Sequence, residues 1–188
     1  KPHLLYDVID TYISISKQDI EKARTILEAF ADYLRKTFDI KQSYRYYSLR
    51  EAISLLQSYI NIEQIRLKNS LEVNFELPEN LDVAIPTYML QPIVENAIVH
   101  GLSKKGKGGR LDIIIERCGP YLYFTVKDNG AGMTPEEISK AIDPNRNNSL
   151  SNISKRLSSL NRKFLSIVSS PNIGTEVSWR VRVKELKN

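Results

Sequence analysis

The feature that most constrains the fold is a junction between a predicted strand and a loop that contains glycines. Residues 121–126 form an alternating apolar run that predicts a β-strand, and the sequence Asp-Asn-Gly follows from Asp128. Asp-Asn-Gly alone is typical of a hairpin turn. No matching strand follows it, because Thr134 and Glu137 have the spacing of a helix capping box. The chain is therefore predicted to leave a strand at Asp128, pass through a loop and enter a helix.

The residues at this junction suit a flat ligand that carries an amino group. The Asp128 carboxylate can accept hydrogen bonds from such a group. Gly130 and Gly132 have no Cβ atoms, so the backbone can approach a ring closely. Adenine has both the flat shape and the amino group. The junction therefore predicts an adenine-binding loop.

A second group of polar residues lies on a predicted helix upstream, over residues 86–101. Pro86 has the fixed φ that suits a first helical turn, and apolar residues follow at helical spacing. Those apolar residues are Met89, Leu90, Ile93, Val94, Ala97 and Ile98. Asn96 and His100 are four residues apart and project from one face. The Asn96 carboxamide oxygen is a hard, neutral ligand that suits magnesium carrying nucleotide phosphates. The alternative is a core helix with incidental polar residues.

Together these stretches resemble the N-box and first glycine box of the GHKL ATPase domains shared by histidine kinases, gyrase-type topoisomerases and Hsp90 chaperones. The resemblance implies that Asn96 holds Mg²⁺ and that Asp128 binds the adenine amino group of ATP. Residues 173–177 resemble the last glycine box of these domains. That match implies that Gly174 and Thr175 lie beside the adenine.

Length and composition set the limits on these interpretations. The chain has 188 residues, enough for one domain with an appended helical segment. Its hydrophobic content of 41% and charged content of 26% are ordinary for a globular protein. Cys118 is the only cysteine, which excludes an internal disulfide and indicates a reducing compartment. Because Cys118 lies in an apolar strand, we expect it to be buried.

The net charge of +5 is modest, and the dense basic cluster lies among glycines at residues 104–110. No aromatic residues alternate with this cluster, and no nucleic-acid recognition motif accompanies it. We therefore expect a solvated loop and no nucleic-acid partner. No apolar run approaches the roughly 18 residues of a membrane span.

The first seventy residues contain no glycine and are predicted to be helical. Residues 4–38 carry a stripe of apolar side chains at helical spacing. After the polar residues 39–47, Ser48 is predicted to cap a second helix, with Glu51 completing a capping box. Both stripes need a partner surface. Either a four-helix bundle with a second copy of the chain or packing on the nucleotide domain would provide it.

His3 and Asp7 lie four residues apart at the head of this region. On a helix they would share a face, so the carboxylate could hydrogen-bond one ring nitrogen and leave the other nitrogen able to attack. The alternative is an ordinary histidine near a terminus.

With these residues included, residues 2–10, 59–67 and 90–97 resemble the successive signatures of the YesM/LytS type of sensor histidine kinase. The resemblance implies the cytoplasmic catalytic region of a two-component kinase. In it, His3 is autophosphorylated from ATP and passes the phosphoryl group to an aspartate of a response-regulator receiver domain. It also implies a homodimer, with sensor and membrane segments of a bacterial cell-membrane protein upstream of Lys1.

The remaining pattern predicts an α+β fold. Further strands are expected at residues 71–77, 111–116, 164–168 and 175–183. A helical hairpin for dimerisation and phosphotransfer over residues 1–70 would precede an α/β sandwich of the histidine-kinase ATPase (Bergerat) type over residues 71–188. Its mixed sheet would be covered on one face by helices. The polar residues 134–152 would form a flexible lid over the phosphates.

The sequence differs from that of related kinases in the segment expected to lie beside the phosphates of ATP. Asn147 and Ser149 occupy positions where these kinases usually have glycines, and their side chains restrict backbone approach to phosphate oxygens. Arg156 is expected to supply a cation near the phosphates. The substitutions favour an alternative reading, a degenerate nucleotide-binding scaffold without catalysis.

The expected chemistry follows from a further difference. Related hydrolases carry a water-activating glutamate where this chain has Pro92, and proline cannot act as a base. A plain ATPase or chaperone-like clamp is therefore disfavoured. Asp7 would accept or orient the His3 proton. Glu95 would polarise a magnesium-bound water or make a purely structural hydrogen bond. His100 would contact the phosphates or cap the helix end.

Overall fold

A computed structural model describes residues 2–41, 46–68, 70–103, 109–146, 148–159 and 165–185. Residues 104–108 of the predicted basic loop lie outside them, whereas Gly109 and Arg110 begin a β-strand, contrary to the prediction of a loop there. The described residues form an α+β fold, as predicted. In chain order its elements are α1 (Pro2–Ser16), α2 (Ile20–Lys41), β1 (Tyr46–Ser48), α3 (Leu49–Arg66), β2 (Leu71–Glu76), β3 (Val83–Pro86), α4 (Gln91–Asn96), a π-helical turn (Ala97–Leu102), β4 (Gly109–Cys118), β5 (Tyr121–Asp128), α5 (Pro135–Ile142), α6 (Ser149–Ser159), β6 (Leu165–Ser170), β7 (Gly174–Arg182) and β8 (Lys184–Glu185).

The main sheet has five strands in the order β2-β4-β5-β7-β6. β2 pairs with β4 in parallel, and the other neighbours pair antiparallel, so the sheet is mixed as predicted. β5 lies at its centre, and Asp128 at the end of β5 is opposite Leu111 and Thr175. A small antiparallel sheet of β1, β3 and β8 was not expected from the sequence.

The core lies between one face of the main sheet and the helices that cover it. Alternate residues of the central strands are buried, including Ile113, Phe124 and Trp179. The rings of Phe124 and Trp179 stack with centroids 5.0 Å apart. Leu56 of α3 and Ile93 of α4 belong to the same core. Burying such side chains stabilises the fold by about 1.5–3 kcal/mol each.

A smaller apolar cluster attaches the α1–α2 hairpin to α3. Val8 of α1, Ile26 and Ala29 of α2 and Ile62 of α3 form this cluster. The helix α3 thus packs on the core of the main sheet with one face and on the α1–α2 hairpin with another. The domain boundary expected at residue 70 stays a prediction. Since α3 contributes residues to both cores, the packing does not separate the two regions at that point.

Both predicted capping boxes are confirmed. Ser48 Oγ accepts a hydrogen bond from the Glu51 amide at 3.1 Å, and a Glu51 carboxylate oxygen accepts from the Ser48 amide at 2.8 Å. The same reciprocal pair joins Thr134 and Glu137, at 3.3 and 2.8 Å. These bonds satisfy amide groups that a helix start otherwise leaves unpaired.

The predicted helix start at Pro86 is wrong. Pro86 is the last residue of β3, and the next helix begins only at Gln91, with Pro92 in its first turn. Between them Tyr88 has a φ of 58°, a conformation that no helix accommodates. The fixed φ of proline suits the last residue of a strand as well as a first helical turn, so the residue type did not decide between them.

The predicted continuous helix over residues 4–38 is interrupted between Ser16 and Ile20. The Asp19 carboxylate accepts a hydrogen bond from the Lys22 amide at 3.1 Å and so caps the start of α2. An aspartate competes with helix continuation by offering this local bond. The result is a turn that folds α1 back onto α2.

The segment predicted as a lid, residues 134–152, contains the helix that was expected to start at the Thr134 cap. α5 occupies its first half, and α6 begins at Ser149. Asn147 lies outside the described residues.

Cys118 is exposed, contrary to the prediction. It is the last residue of β4, where the alternation of buried and exposed side chains has ended. Within the described ranges, none of the helices has the length and apolar character that crossing a bilayer requires.

Candidate functional site

A cavity of about 640 Å³ lies between α4 with its π-helical turn, the ends of β5 and β7, and the helices α5 and α6. The two residues on which the sequence interpretation depends, Asn96 and Asp128, both line it. Other predicted residues on its wall are His100, Gly132 and Thr175. The fold thus brings residues that are far apart in sequence to one cavity.

Asp128 is buried at the end of β5, with 6% of its surface exposed. Its carboxylate accepts a hydrogen bond from the Gly130 amide at 2.8 Å. The central position of β5 in the sheet explains the burial. Burying a carboxylate is costly unless hydrogen bonds compensate the loss of water, and the Gly130 amide supplies one such bond.

Gly101 is a site residue that the sequence interpretation missed. A Cβ atom on Gly101 would lie 2.7 Å from a carboxylate oxygen of Asp128, so only glycine fits without a shift. The Gly101 carbonyl accepts a hydrogen bond from the Ala131 amide at 2.9 Å, which ties the helix end to the glycine loop. The sequence signal was weak, because a glycine after a helical pattern is usually read as a helix cap.

Gly174, assigned to the last glycine box, lies against the backbone of Asp128. Its φ is +136°, and a Cβ atom there would overlap the Asp128 carbonyl oxygen.

Ser169, which the sequence gave no reason to select, connects the glycine loop to the start of β7. Its hydroxyl accepts from the Met133 amide at 2.8 Å, donates to the Gly174 carbonyl at 3.0 Å and bonds the Thr175 hydroxyl at 2.8 Å.

Asn96 is the last residue of α4 and is half-buried on the cavity wall. Ser149, the first residue of α6, lines the cavity beside it. Among the described residues, no group of three or more His, Cys, Asp or Glu side chains is arranged to hold a metal ion. A lone carboxamide suits a cation that takes most of its ligands from phosphate oxygens and water, which is the usual behaviour of Mg²⁺ with nucleotides.

Arg156 is not on the cavity wall, contrary to the expectation from the sequence. Its guanidinium donates to the Thr87 carbonyl at 3.0 Å. α6 turns Leu150, Ile153 and Leu157 into the core, and Arg156 lies on the exposed side of the same helix.

Glu95 and Asp7 line a second cavity, of about 760 Å³, between the hairpin and α4. A Glu95 carboxylate oxygen accepts a hydrogen bond from the Gln91 side chain at 2.8 Å. A structural hydrogen bond of this kind was one of the two roles expected for Glu95. The Asp7 carboxylate pairs with Arg66 at 3.0 Å. The backbone of His3 is in α1, but its side chain lies outside the described part of the chain.

Comparison with known families gives two matches along the chain. Residues 1–71 match the sequence model of a family described as histidine kinase. Residues 82–185 match that of the histidine kinase-, DNA gyrase B-, and HSP90-like ATPases.

Individual relatives agree with these matches. The chain is 41% identical over 188 residues to the putative uncharacterized protein YwpD of Bacillus subtilis (strain 168), covering 98% of this chain and 68% of that protein. It is 28% identical over 195 residues to the sensor protein LytS of the same strain, covering 99% of this chain and 33% of LytS. The chain thus spans about a third of the length of LytS.

A solved structure shares the fold. The histidine kinase domain of the Erythrobacter litoralis EL346 blue-light activated histidine kinase superposes with a TM-score of 0.58 at 14% identity, covering 96% of this chain and 95% of that domain. At this identity the similarity concerns the fold alone.

Proposed function

Because this chain belongs to the sensor histidine kinases of the LytS type, we propose that it is the catalytic region of an ATP-dependent protein histidine autokinase. It transfers the γ-phosphoryl group of ATP to His3, and from there to an aspartate of a response regulator. The observation that supports the proposal best is the position of Asn96 and Asp128 on one cavity. One of them suits the phosphate end of a nucleotide and the other suits the adenine end.

At the adenine end, Asp128 would accept a hydrogen bond from the amino group of the base. A carboxylate has several lone-pair directions, so accepting from the Gly130 amide is compatible with this role. The close approach of Gly101 and Gly174 to Asp128 fixes its position. Thr175, on the same wall, would lie beside the base.

At the phosphate end, Asn96 would contribute its carboxamide oxygen to Mg²⁺. When bound, the ion supplies neutralisation of the charge on the phosphate oxygens. His100 lines the same part of the wall and would contact the phosphates. We assign no phosphate contact to Arg156, because its guanidinium bonds Thr87 instead.

The acceptor would be an imidazole and not water. Pro92 stands one turn before Asn96 and cannot act as a base. Asp7, four residues after His3 on α1, would take or orient the imidazole proton. Phosphoryl transfer depends mainly on positioning and charge neutralisation, so few catalytic groups are needed.

The proposed activity has implications for the intact protein. The α1–α2 hairpin exposes large apolar side chains, which fits burial against a second copy in a homodimer. Those that do not line the second cavity are Tyr6, Ile9, Ile13, Ile20 and Leu27. The partner of the phosphorylated form would be a response-regulator receiver domain. The chain would be the cytoplasmic portion of a membrane protein that carries its sensor segments upstream.

Incubation of the protein with ATP labelled on the γ-phosphate, in the presence of Mg²⁺, tests the proposal. We expect label on the protein that is lost in acid and stable in base, as a phosphorus–nitrogen bond requires. Free phosphate released without labelled protein would indicate an ATPase or clamp instead. Neither label nor release would indicate the non-catalytic scaffold, which the position of Ser149 on the cavity wall favours.

Replacement of Asn96 by Ala is expected to weaken ATP binding in Mg²⁺ by about 10- to 100-fold, the order expected when one bond to a charged group is lost. Binding measured in EDTA should change by less than about twofold, because Asn96 acts through the ion. Titration calorimetry under both conditions checks this. Asn61→Ala, an exposed asparagine on α3, is the matched control and should bind as the wild type does. An equal loss with and without Mg²⁺ would contradict the metal role.

A further inference from the structure

The nucleotide cavity and the cavity under the hairpin share part of their walls. Asn96, His100 and Ser149 line both of them. These are the residues at the phosphate end of the nucleotide cavity in the proposed function. The phosphate end therefore faces the second cavity.

The start of α1 of the same chain also lines the second cavity. Leu4, Leu5 and Asp7 line it. His3 directly precedes Leu4 in the first turn of this helix. The helix that carries the proposed acceptor and the asparagine proposed for Mg²⁺ thus border one space within a single chain.

Apolar contacts hold α1 in this position. Val8 is completely buried against Ile26 and Ile62 in the cluster that joins α1, α2 and α3. Leu4, one helical turn earlier, packs against both this cluster and the core of the nucleotide domain. The interruption after Ser16 is what folds α1 back along α2, so that both helices reach α3 of their own chain.

An ion-pair network attaches the second turn of α1 to α3. Arg66 pairs with Asp7 at 3.0 Å and with the two carboxylate oxygens of Glu63 at 2.9 and 2.7 Å. Glu63 is 2% exposed. Burial raises the pKa of its carboxyl, and the neighbouring Arg66 opposes that shift. Removing Arg66 would leave the buried Glu63 carboxylate without its counter-charge, so the guanidinium is held beside Glu63. In that position it is a fixed partner for Asp7.

We propose that phosphoryl transfer occurs within one chain, from ATP in the nucleotide cavity to His3 of the same chain, across the second cavity. This inference rests on the proposed function. In the step, an imidazole nitrogen of His3 forms a bond to the γ-phosphorus, and the bond from that phosphorus to the bridging oxygen breaks. ADP leaves with the electron pair of that bond. The proton on the other ring nitrogen passes to the Asp7 carboxylate and then to solvent.

Complementation between two inactive variants tests the proposal. His3→Gln lacks the acceptor, and Asp128→Asn lacks the adenine contact. The two are co-expressed with different affinity tags and purified through both tags, so that each molecule studied contains both chains. Transfer within one chain predicts label below about 5% of the wild-type level, because neither chain has both groups at the effective concentration that positioning provides. Label on the Asp128→Asn chain would overturn the proposal. Asn96→Ala serves as a second nucleotide-deficient chain if Asp128→Asn does not fold.

A dilution series of the wild type provides the second measurement, which decides the matter if no doubly tagged species is recovered. Transfer within a chain predicts an initial rate per chain that stays constant within about twofold over a hundredfold dilution, since no encounter is required. A rate that falls in proportion to concentration would overturn the proposal. An unlabelled wild type would instead contradict the proposed function itself, so the two failures are distinguishable.

Discussion

Replacement of His3 by Gln is expected to abolish the acid-labile label completely. The chain has two histidines, His3 and His100, so a phosphorus–nitrogen bond to imidazole can form at only two positions. Glutamine cannot act as the nucleophile, because its amide nitrogen has no available lone pair. The measurement is the amount of acid-labile, base-stable label per chain after incubation with labelled ATP and Mg²⁺.

A titration of His3→Gln with ATP separates loss of the acceptor from loss of the substrate. The affinity should stay within about twofold of the wild type, because none of the α1 side chains that the structure describes lines the nucleotide cavity. Acid-labile label that persists in this variant would have to lie on His100. That outcome would contradict the assignment of the acceptor and would place the phosphoryl group on the cavity wall instead.

Replacement of Asp128 by Asn is expected to weaken ATP binding by about 100-fold or more and to remove the label with it. The carboxylate only accepts hydrogen bonds, whereas a carboxamide also presents two N–H donors. The NH₂ group of the new carboxamide would then face either the Gly130 amide or the amino group of adenine. Both of these groups are donors, so the contact would lose its hydrogen bond. Leaving buried polar groups unpaired costs about 1–3 kcal/mol each, which for two contacts reaches this magnitude.

The matched control for Asp128→Asn is Asp112→Asn. Asp112 lies on the neighbouring strand β4 and pairs with Arg110 at 2.9 Å outside the cavity. The same chemical change there should leave ATP affinity within about twofold of the wild type, because Asp112 does not line the cavity. A circular dichroism spectrum of each variant establishes that it is folded. If folded Asp128→Asn binds ATP as the wild type does, the adenine contact is wrong.

The local sequence was sufficient to predict an element wherever residues close in the chain make the interaction that determines it. Both capping boxes were predictable, because Ser48 with Glu51 and Thr134 with Glu137 satisfy their own helix starts. The strands of the main sheet were predictable from alternation, since one face of a sheet is buried. The end of β5 at Asp128 was predictable for the same reason.

Predictions failed where a residue type suits two structures equally. Pro86 fits a helix start or a strand end, and pairing with Tyr46 of β1 in the small sheet decided for the strand. Asp19 interrupted an otherwise helical stripe by capping α2. Arg156 has the charge expected beside phosphates, but the face of α6 on which it lies is set by the burial of its neighbours.

The sequence by itself determined the order of elements around the nucleotide loop, the membership in a kinase family and the candidate pair Asn96 and Asp128. These depend on local patterns and on motifs that are short and ordered along the chain. Only the tertiary structure decided that Gly101 lies against Asp128 and that Arg66 of α3 pairs with Asp7 of α1. Such contacts join residues far apart in sequence, and they exist only after packing has fixed the distances between helices and strands.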